Sequence, residues 1–67
     1  MFLPGDLAIY ASPEIDIPRR LLGERVEVLS VTQGGAVYFR ALSHDRAQYR
    51  IPAGEVARCL QRVEETR

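Results

Sequence analysis

The chain has 67 residues and a formal net charge of zero, with nine arginines balancing nine acidic residues. A single domain of this length hides only about 60% of the surface of its unfolded chain, so the core is thin and leaves little room for the deep pocket of an independent enzyme. The single cysteine, Cys59, excludes an internal disulfide, and no apolar run is long enough to span a bilayer. We therefore expect a cytoplasmic protein with no membrane contact.

The chain opens with a turn and a short strand. Pro4-Gly5 is typical of a turn, and the alternation from Asp6 to Tyr10 predicts a strand with Leu7 and Ile9 facing inward. Prolines 13 and 18 then exclude a regular element, so residues 11–23 are predicted to form a long loop. We expect this loop to pack back over the domain, because it carries four large aliphatic residues: Ile15, Ile17, Leu21 and Leu22.

A β-hairpin is the strongest local signal in the chain. Two β-rich runs flank Gln33-Gly34-Gly35, which is typical of a tight turn. The second strand is predicted over residues 25–32, with Val26 and Val28 inward. Leu29 and Val31 break the alternation, which predicts a bend or a bulge.

The third strand is predicted over residues 36–42. Its inward residues are Val37, Phe39 and Ala41, and its outward residues are Tyr38 and Arg40. A polar turn at residues 43–46 then leads to a fourth strand over residues 47–51.

The C-terminal segment has two interpretations. Residues 52–55 form a tight turn that leads to a fifth strand over residues 57–61, or they begin a helix that runs from about Glu55 to Glu65. The helix is indicated by Val56, Leu60 and Val63, which would share one helical face.

The order of these signals resembles the SH3-like small barrels, which include KOW-type modules and the barrel subunits of larger assemblies. The residues that carry the resemblance are Pro4-Gly5-Asp6-Leu7, Leu22-Gly23-Glu24, Gly34-Gly35 and Ile51-Pro52-Ala53-Gly54-Glu55-Val56. The resemblance implies that residues 1–67 form one all-β domain, a five-stranded barrel with a long loop after the first strand. It also implies a protein that binds a partner protein or nucleic acid rather than an enzyme, although fold alone does not determine function.

The chemistry-bearing residues do not form a recognisable catalytic or metal motif. His44 and Asp45 are adjacent in a predicted turn, so they lack the geometry of a base and its orienting carboxylate. Cys59 with His44 would leave a zinc ion two ligands short. We therefore predict no catalytic, metal-binding or cofactor-binding residues, and Cys59 is interpreted as a small apolar core residue.

Tyrosines and arginines are the strongest candidates for a binding surface. Tyr38 and Arg40 lie two residues apart on one outward face, and both residue types are favoured at binding hot spots and can stack on nucleic-acid bases. Arg19-Arg20 in the apolar loop is a second candidate contact. The partner-binding residues predicted from the sequence are Tyr10, Arg19, Arg20, Tyr38, Arg40 and Arg50. The alternative interpretation is that the tyrosines fill or cap the core and the arginines keep the domain soluble.

The sequence thus favours a non-enzymatic interaction module that docks on a larger protein or assembly. The alternative is a small nucleic-acid-binding barrel that uses the arginine-rich half of the chain. Residues 36–67 hold six arginines against four acidic residues, a balance of +2, whereas residues 1–35 hold three against five, a balance of −2. The zero net charge of the whole chain argues against strong non-specific binding to phosphate. The sequence carries no signal for a particular oligomeric state.

Overall fold

A computed structural model describes residues 2–42 and 47–63. It contains a five-stranded antiparallel sheet with the strand order β4-β3-β2-β1-β5. The strands are β1 (Leu7–Tyr10), β2 (Arg25–Val31), β3 (Val37–Ala41), β4 (Gln48–Ile51) and β5 (Leu60–Arg62). Two 3-10 turns, Arg19–Leu21 and Ala53–Glu55, and one helical turn, α1 (Val56–Cys59), lie in the connections.

The prediction of an all-β fold is confirmed, but the prediction of a closed barrel is wrong. The described strands form one open sheet in which β4 and β5 are the two edges and do not pair with each other. The chain between these edges folds as a 3-10 turn followed by α1. β5 has only three residues, and all three pair with β1. The connection therefore bridges the two edges without a ladder of hydrogen bonds between them.

The core lies on the inner face of the curled sheet. Val26 and Val28 are buried, and so are the inward residues of β3 and Ile51 of β4, as the sequence predicted. Phe39 occupies the centre, with its ring centroid 6.1 Å from that of Tyr10 and 5.8 Å from that of Tyr49. Ring pairs at this separation stabilise the fold beyond the area that they bury.

The register predicted for β1 is wrong by one residue. Ala8 and Tyr10 face the core and are fully buried, whereas Leu7 and Ile9 are half-buried on the outer face. Because all four residues are apolar, alternation alone does not choose the face. The large Tyr10 ring, stacked on Phe39, makes the greater contribution to the core, and the small Ala8 fits opposite Val26 where the core is thin.

The turn before β1 has the chemistry that its sequence predicts. Pro4 and Gly5 occupy its two central positions, and Gly5 has a φ of 91°, a conformation that favours glycine. The Leu3 amide donates to Asp6 Oδ2 at 2.8 Å, and the Asp6 amide donates to the Leu3 carbonyl at 3.0 Å. The Gly5 amide donates to the carbonyl of Val28, which joins the turn to β2.

The long loop packs back over the domain, as predicted. Ile17 and Leu21 are buried in the core, and the 3-10 turn Arg19–Leu21 delivers the second of them. The Glu14 amide donates to the Tyr10 hydroxyl at 2.6 Å, which ties the loop to the end of β1. Ile15 differs from its neighbours, because its side chain is 91% exposed.

The predicted irregularity in β2 is a β-bulge at Leu29. Val28 lies opposite Phe39 and Ser30 lies opposite Tyr38, so Leu29 is the extra residue. Beyond the bulge, Thr32 accepts a hydrogen bond from the Ala36 amide through its hydroxyl at 3.0 Å, and Gly35 adopts a φ of 98° in the hairpin turn.

The C-terminal segment contains both a helical turn and a strand. The helix that we considered from Glu55 to Glu65 is limited to the four residues of α1, and the strand that we expected from residue 57 begins at Leu60. Cys59 and Leu60 are both buried at the junction. The polar turn predicted at residues 43–46 lies outside the described residues. Within the described ranges, no helix is long and apolar enough to cross a membrane.

Candidate interaction surface

The outer face of the sheet carries three of the six residues predicted to bind a partner. Tyr38 and Arg40 alternate with the buried residues of β3, so both point away from the core. Arg50 of β4 lies directly opposite Tyr38, and Glu27 of β2 lies directly opposite Arg40. Since directly opposed residues share one face of a sheet, Tyr38, Arg40 and Arg50 form one surface. The alternation in the sequence predicted this for Tyr38 and Arg40, and the pairing of β3 with β4 adds Arg50.

The arginines of this face differ in their ion pairs. Arg40 Nη2 donates to Glu27 Oε1 at 3.1 Å, and its Nε is enclosed and has no hydrogen-bond partner among the residues that the structure describes. Arg25 and Arg50 are exposed and make no ion pair with another described residue. The face therefore carries more positive charge than its own glutamate neutralises.

The three tyrosines occupy three different environments. Tyr38 is half-buried on the outer face, and Tyr49 is half-buried against the core. Tyr10, which the sequence analysis included among the partner-binding residues, is fully enclosed, and its burial raises the pKa of its hydroxyl. Tyr10 thus offers no surface to a partner, because the register of β1 places it inward.

Arg19 and Arg20 lie on the 3-10 turn of the long loop rather than on the sheet. Both side chains are exposed, whereas the next residue, Leu21, is buried and anchors the turn. Arg19 and Arg20 are therefore at the surface, but they do not belong to the sheet face that carries the tyrosine and arginine residues of β3 and β4.

An apolar groove of about 520 Å³ was not predicted from the sequence. It lies between the N-terminal segment, the end of the β2–β3 hairpin and the turn before β5. Most of its lining is apolar, and none of the lining residues is ionisable: Phe2, Val31, Thr32, Gln33, Gly35, Val37, Ala53, Val56 and Ala57. The apolar Phe2 ahead of the first turn is the one feature of the sequence that could indicate this groove, because the other lining residues meet only through tertiary contacts.

A cluster of ionisable groups joins the long loop to α1. Carboxylate oxygens of Glu14 and Glu55 and the sulfur of Cys59 lie within 4.8 Å of one another. Arg58 occupies the same place: its Nε donates to Glu55 Oε1 at 2.7 Å, and its Nη2 lies 3.9 Å from Glu14 Oε2. Burial raises the pKa of the Cys59 thiol, which opposes the thiolate that a metal requires. The geometry is that of an arginine holding two carboxylates rather than of a cation site.

Arg58 also acts as a tie between distant parts of the chain. Its Nη1 donates to the carbonyl of Pro13 at 3.0 Å, and the hydrogen bond to Glu55 raises the pKa of its guanidinium. The loop and the C-terminal turn are thereby joined by one side chain.

Asp6 is the acidic centre of a second tie, at the start of β1. Its carboxylate accepts hydrogen bonds from the Leu3 amide and from Arg62 Nη1 at 2.9 Å, and these bonds, that of Leu3 first, lower its pKa. The Arg62 guanidinium also lies 4.8 Å from the centre of the Phe2 ring, a cation–π contact. His44 and Asp45, by contrast, lie outside the described residues.

No protein-family model, curated protein or solved structure matches this chain.

Proposed function

We propose that this chain is a non-enzymatic interaction module that docks on a larger protein or assembly through the outer face of β2, β3 and β4. The observation that carries the proposal is the register that sets Tyr38 opposite Arg50 and beside Arg40. A half-buried tyrosine next to arginines offers a broad amphipathic contact with little conformational entropy to lose on binding.

The architecture supports the same proposal. The long first loop, the tight hairpin and the turn before the last strand are the features that the resemblance to SH3-like small folds implies, and such folds act mainly by binding. The one buried and unbonded cysteine favours a reducing compartment, so we place the protein in the cytoplasm.

A double substitution on the outer face tests the proposal. Tyr38→Ala/Arg40→Ala should leave the free energy of unfolding within about 1 kcal/mol of wild type, because both side chains are partly exposed. In a pull-down from the source cell extract, the partner should bind this variant more weakly by about 2 kcal/mol, or roughly 30-fold, if the two residues form a hot spot. A folded double variant that captures the partner as well as wild type does would refute the proposal.

Arg19→Ala/Arg20→Ala is the matched control, since it removes two exposed arginines from the long loop and leaves the sheet unchanged. Capture that depends on this pair, and not on Tyr38 and Arg40, would move the contact to the loop.

The second candidate function is nucleic-acid binding by the same surface. It is favoured by the combination of an aromatic ring with arginines on a sheet face, which can stack on unpaired bases. Gel-shift titrations at two salt concentrations distinguish the two functions, because phosphate contacts make affinity fall steeply with salt. Micromolar binding that persists at physiological salt would support this second function, and no shift at low salt would exclude it.

A further inference from the structure

Three arginines form a diagonal line on the outer face of the sheet. Arg50 on β4 lies opposite Tyr38 on β3, and Arg40 is two residues further along β3. Leu42 is two residues beyond Arg40, and its amide donates to the carbonyl of Arg25 on β2. Each step from one arginine to the next therefore crosses one strand and advances two residues. Diagonal neighbours of this kind lie about 7–8 Å apart at the sheet surface.

This spacing corresponds to that of alternate side chains in an extended peptide. Residues i and i+2 of an extended chain are about 6.6 Å apart and point to the same side. A segment lying along the diagonal would therefore present every second side chain to an arginine, with no change in the backbone of either partner.

The charge of the diagonal selects an acidic segment. Its three arginines face a single glutamate, Glu27, and the latter is paired with Arg40 alone. Arg25 and Arg50 form no ion pair with a carboxylate of the residues that the structure describes. A guanidinium group binds a carboxylate through two parallel hydrogen bonds, so these two side chains are suited to receive carboxylates from outside.

The flanks of the diagonal favour a protein over a nucleic acid. Leu42, which is 48% exposed, lies on one side, and the half-buried Leu7 and Ile9 lie on the other. Tyr38 is the only aromatic ring that the described outer face offers for stacking. Single-stranded nucleic acids are instead bound by several stacking rings along a basic track.

We infer that the occupant of this face is an extended, acidic protein segment with carboxylates at alternating positions, of the form Asp/Glu-x-Asp/Glu-x-Asp/Glu. The inference rests on the proposed function and adds the chemistry and the spacing of the partner.

Titration of the isotope-labelled protein with short capped peptides tests the inference by NMR. The first peptide contains Glu-Thr-Glu-Thr-Glu, the second has the same composition as Glu-Glu-Glu-Thr-Thr, and the third replaces each glutamate of the first by glutamine. We expect the first peptide to bind about fivefold tighter than the second and the third not to bind, with shifts at Arg25, Tyr38 and Arg50. Arg50→Gln should weaken binding of the first peptide about threefold, as for one exposed ion pair, and Arg19→Gln should leave it unchanged.

Equal affinity for the first two peptides, or no binding of the first, would overturn the inference. The proposed function would still stand if capture of a protein from the extract depended on Tyr38 and Arg40. Oligothymidylate that binds this face more tightly than the first peptide would also overturn the inference and assign the face to nucleic acid.

Discussion

The two faces of β3 differ in burial and in role, although their residues alternate along a strand of only five residues. Val37, Phe39 and Ala41 are at most 4% exposed and form the centre of the core. Tyr38 and Arg40 on the opposite face are half-buried, and Arg40 bonds to Glu27 of the neighbouring strand. A substitution at one position of this strand therefore tests stability, and a substitution at the next position tests recognition.

The arginines show the same division. Arg58 and Arg62 are bonded to carboxylates and to loop atoms, and they hold distant segments together. Arg25 and Arg50 on the outer face make no ion pair with the residues described here. Arg58 and Arg62 thus stabilise the fold, whereas Arg25 and Arg50 are available to a partner on the outer face of the sheet.

The largest expected effect comes from the inner face. Phe39→Ala removes the central ring of the core, and its stacking on Tyr10 and Tyr49, and should lower the free energy of unfolding by about 3–5 kcal/mol. Urea denaturation followed by circular dichroism measures the change. The matched variant on the outer face, Arg40→Ala, loses one partly exposed ion pair and should cost at most about 1 kcal/mol. Similar losses for the two variants would mean that the assigned register of β3 is wrong.

The hairpin turn keeps both faces in register, and its glycines offer a matched pair of smaller changes. Gly35→Ala places a side chain at a φ of 98° and only 3.3 Å from the Cβ of Ala53, so it should destabilise the fold by about 1–2 kcal/mol. Gly34→Ala has open space, with its nearest atom 4.0 Å away, and should have much less effect. Thermal unfolding of both variants decides the point, and a Gly34 variant that is the less stable of the two would contradict the turn geometry.

The smallest expected effect is pH-dependent and lies at the start of β1. The pKa of Asp6 is lowered in the folded state from its ordinary value of 3.8, so ionised Asp6 stabilises the fold above that pH, and this stabilisation is lost as the pH falls through the folded pKa. Asp6→Asn keeps an acceptor for the Leu3 amide but loses the ion pair with Arg62. It should be less stable than wild type at neutral pH, and the difference should shrink as the pH falls below 4.

Asp16→Asn is the control for this experiment, because Asp16 is exposed in the long loop and makes no ion pair with another described residue. Its stability should follow that of wild type at every pH. A gap between Asp6→Asn and wild type that stays constant down to pH 2 would exclude a titrating Asp6 as its cause.

Alternation identified β3 and the bulged β2 correctly because polar and apolar residues take turns there, and the outer face followed from the same pattern. The sequence did not determine the face of β1, since Leu7, Ala8, Ile9 and Tyr10 are all apolar and only the contact with Phe39 orients them. For the segment before β5 the sequence left a strand and a longer helix as alternatives, because a helical turn of four residues is too short to show a period. The apolar groove escaped detection for another reason, since its walls come from three separate segments.

The pairing of β1 with β5 has a consequence for how the chain folds. The hairpin pairs Val31 with Val37, which are close in sequence, whereas Ala8 and Arg62 become neighbours only when most of the chain has been drawn together. Closing a long loop costs entropy before the contact is made, so we expect the hairpin to form first and β5 to dock late. We expect the contact between Arg58 and Pro13 to form in that last step, and the outer face of β2 and β3 to form before the sheet is complete.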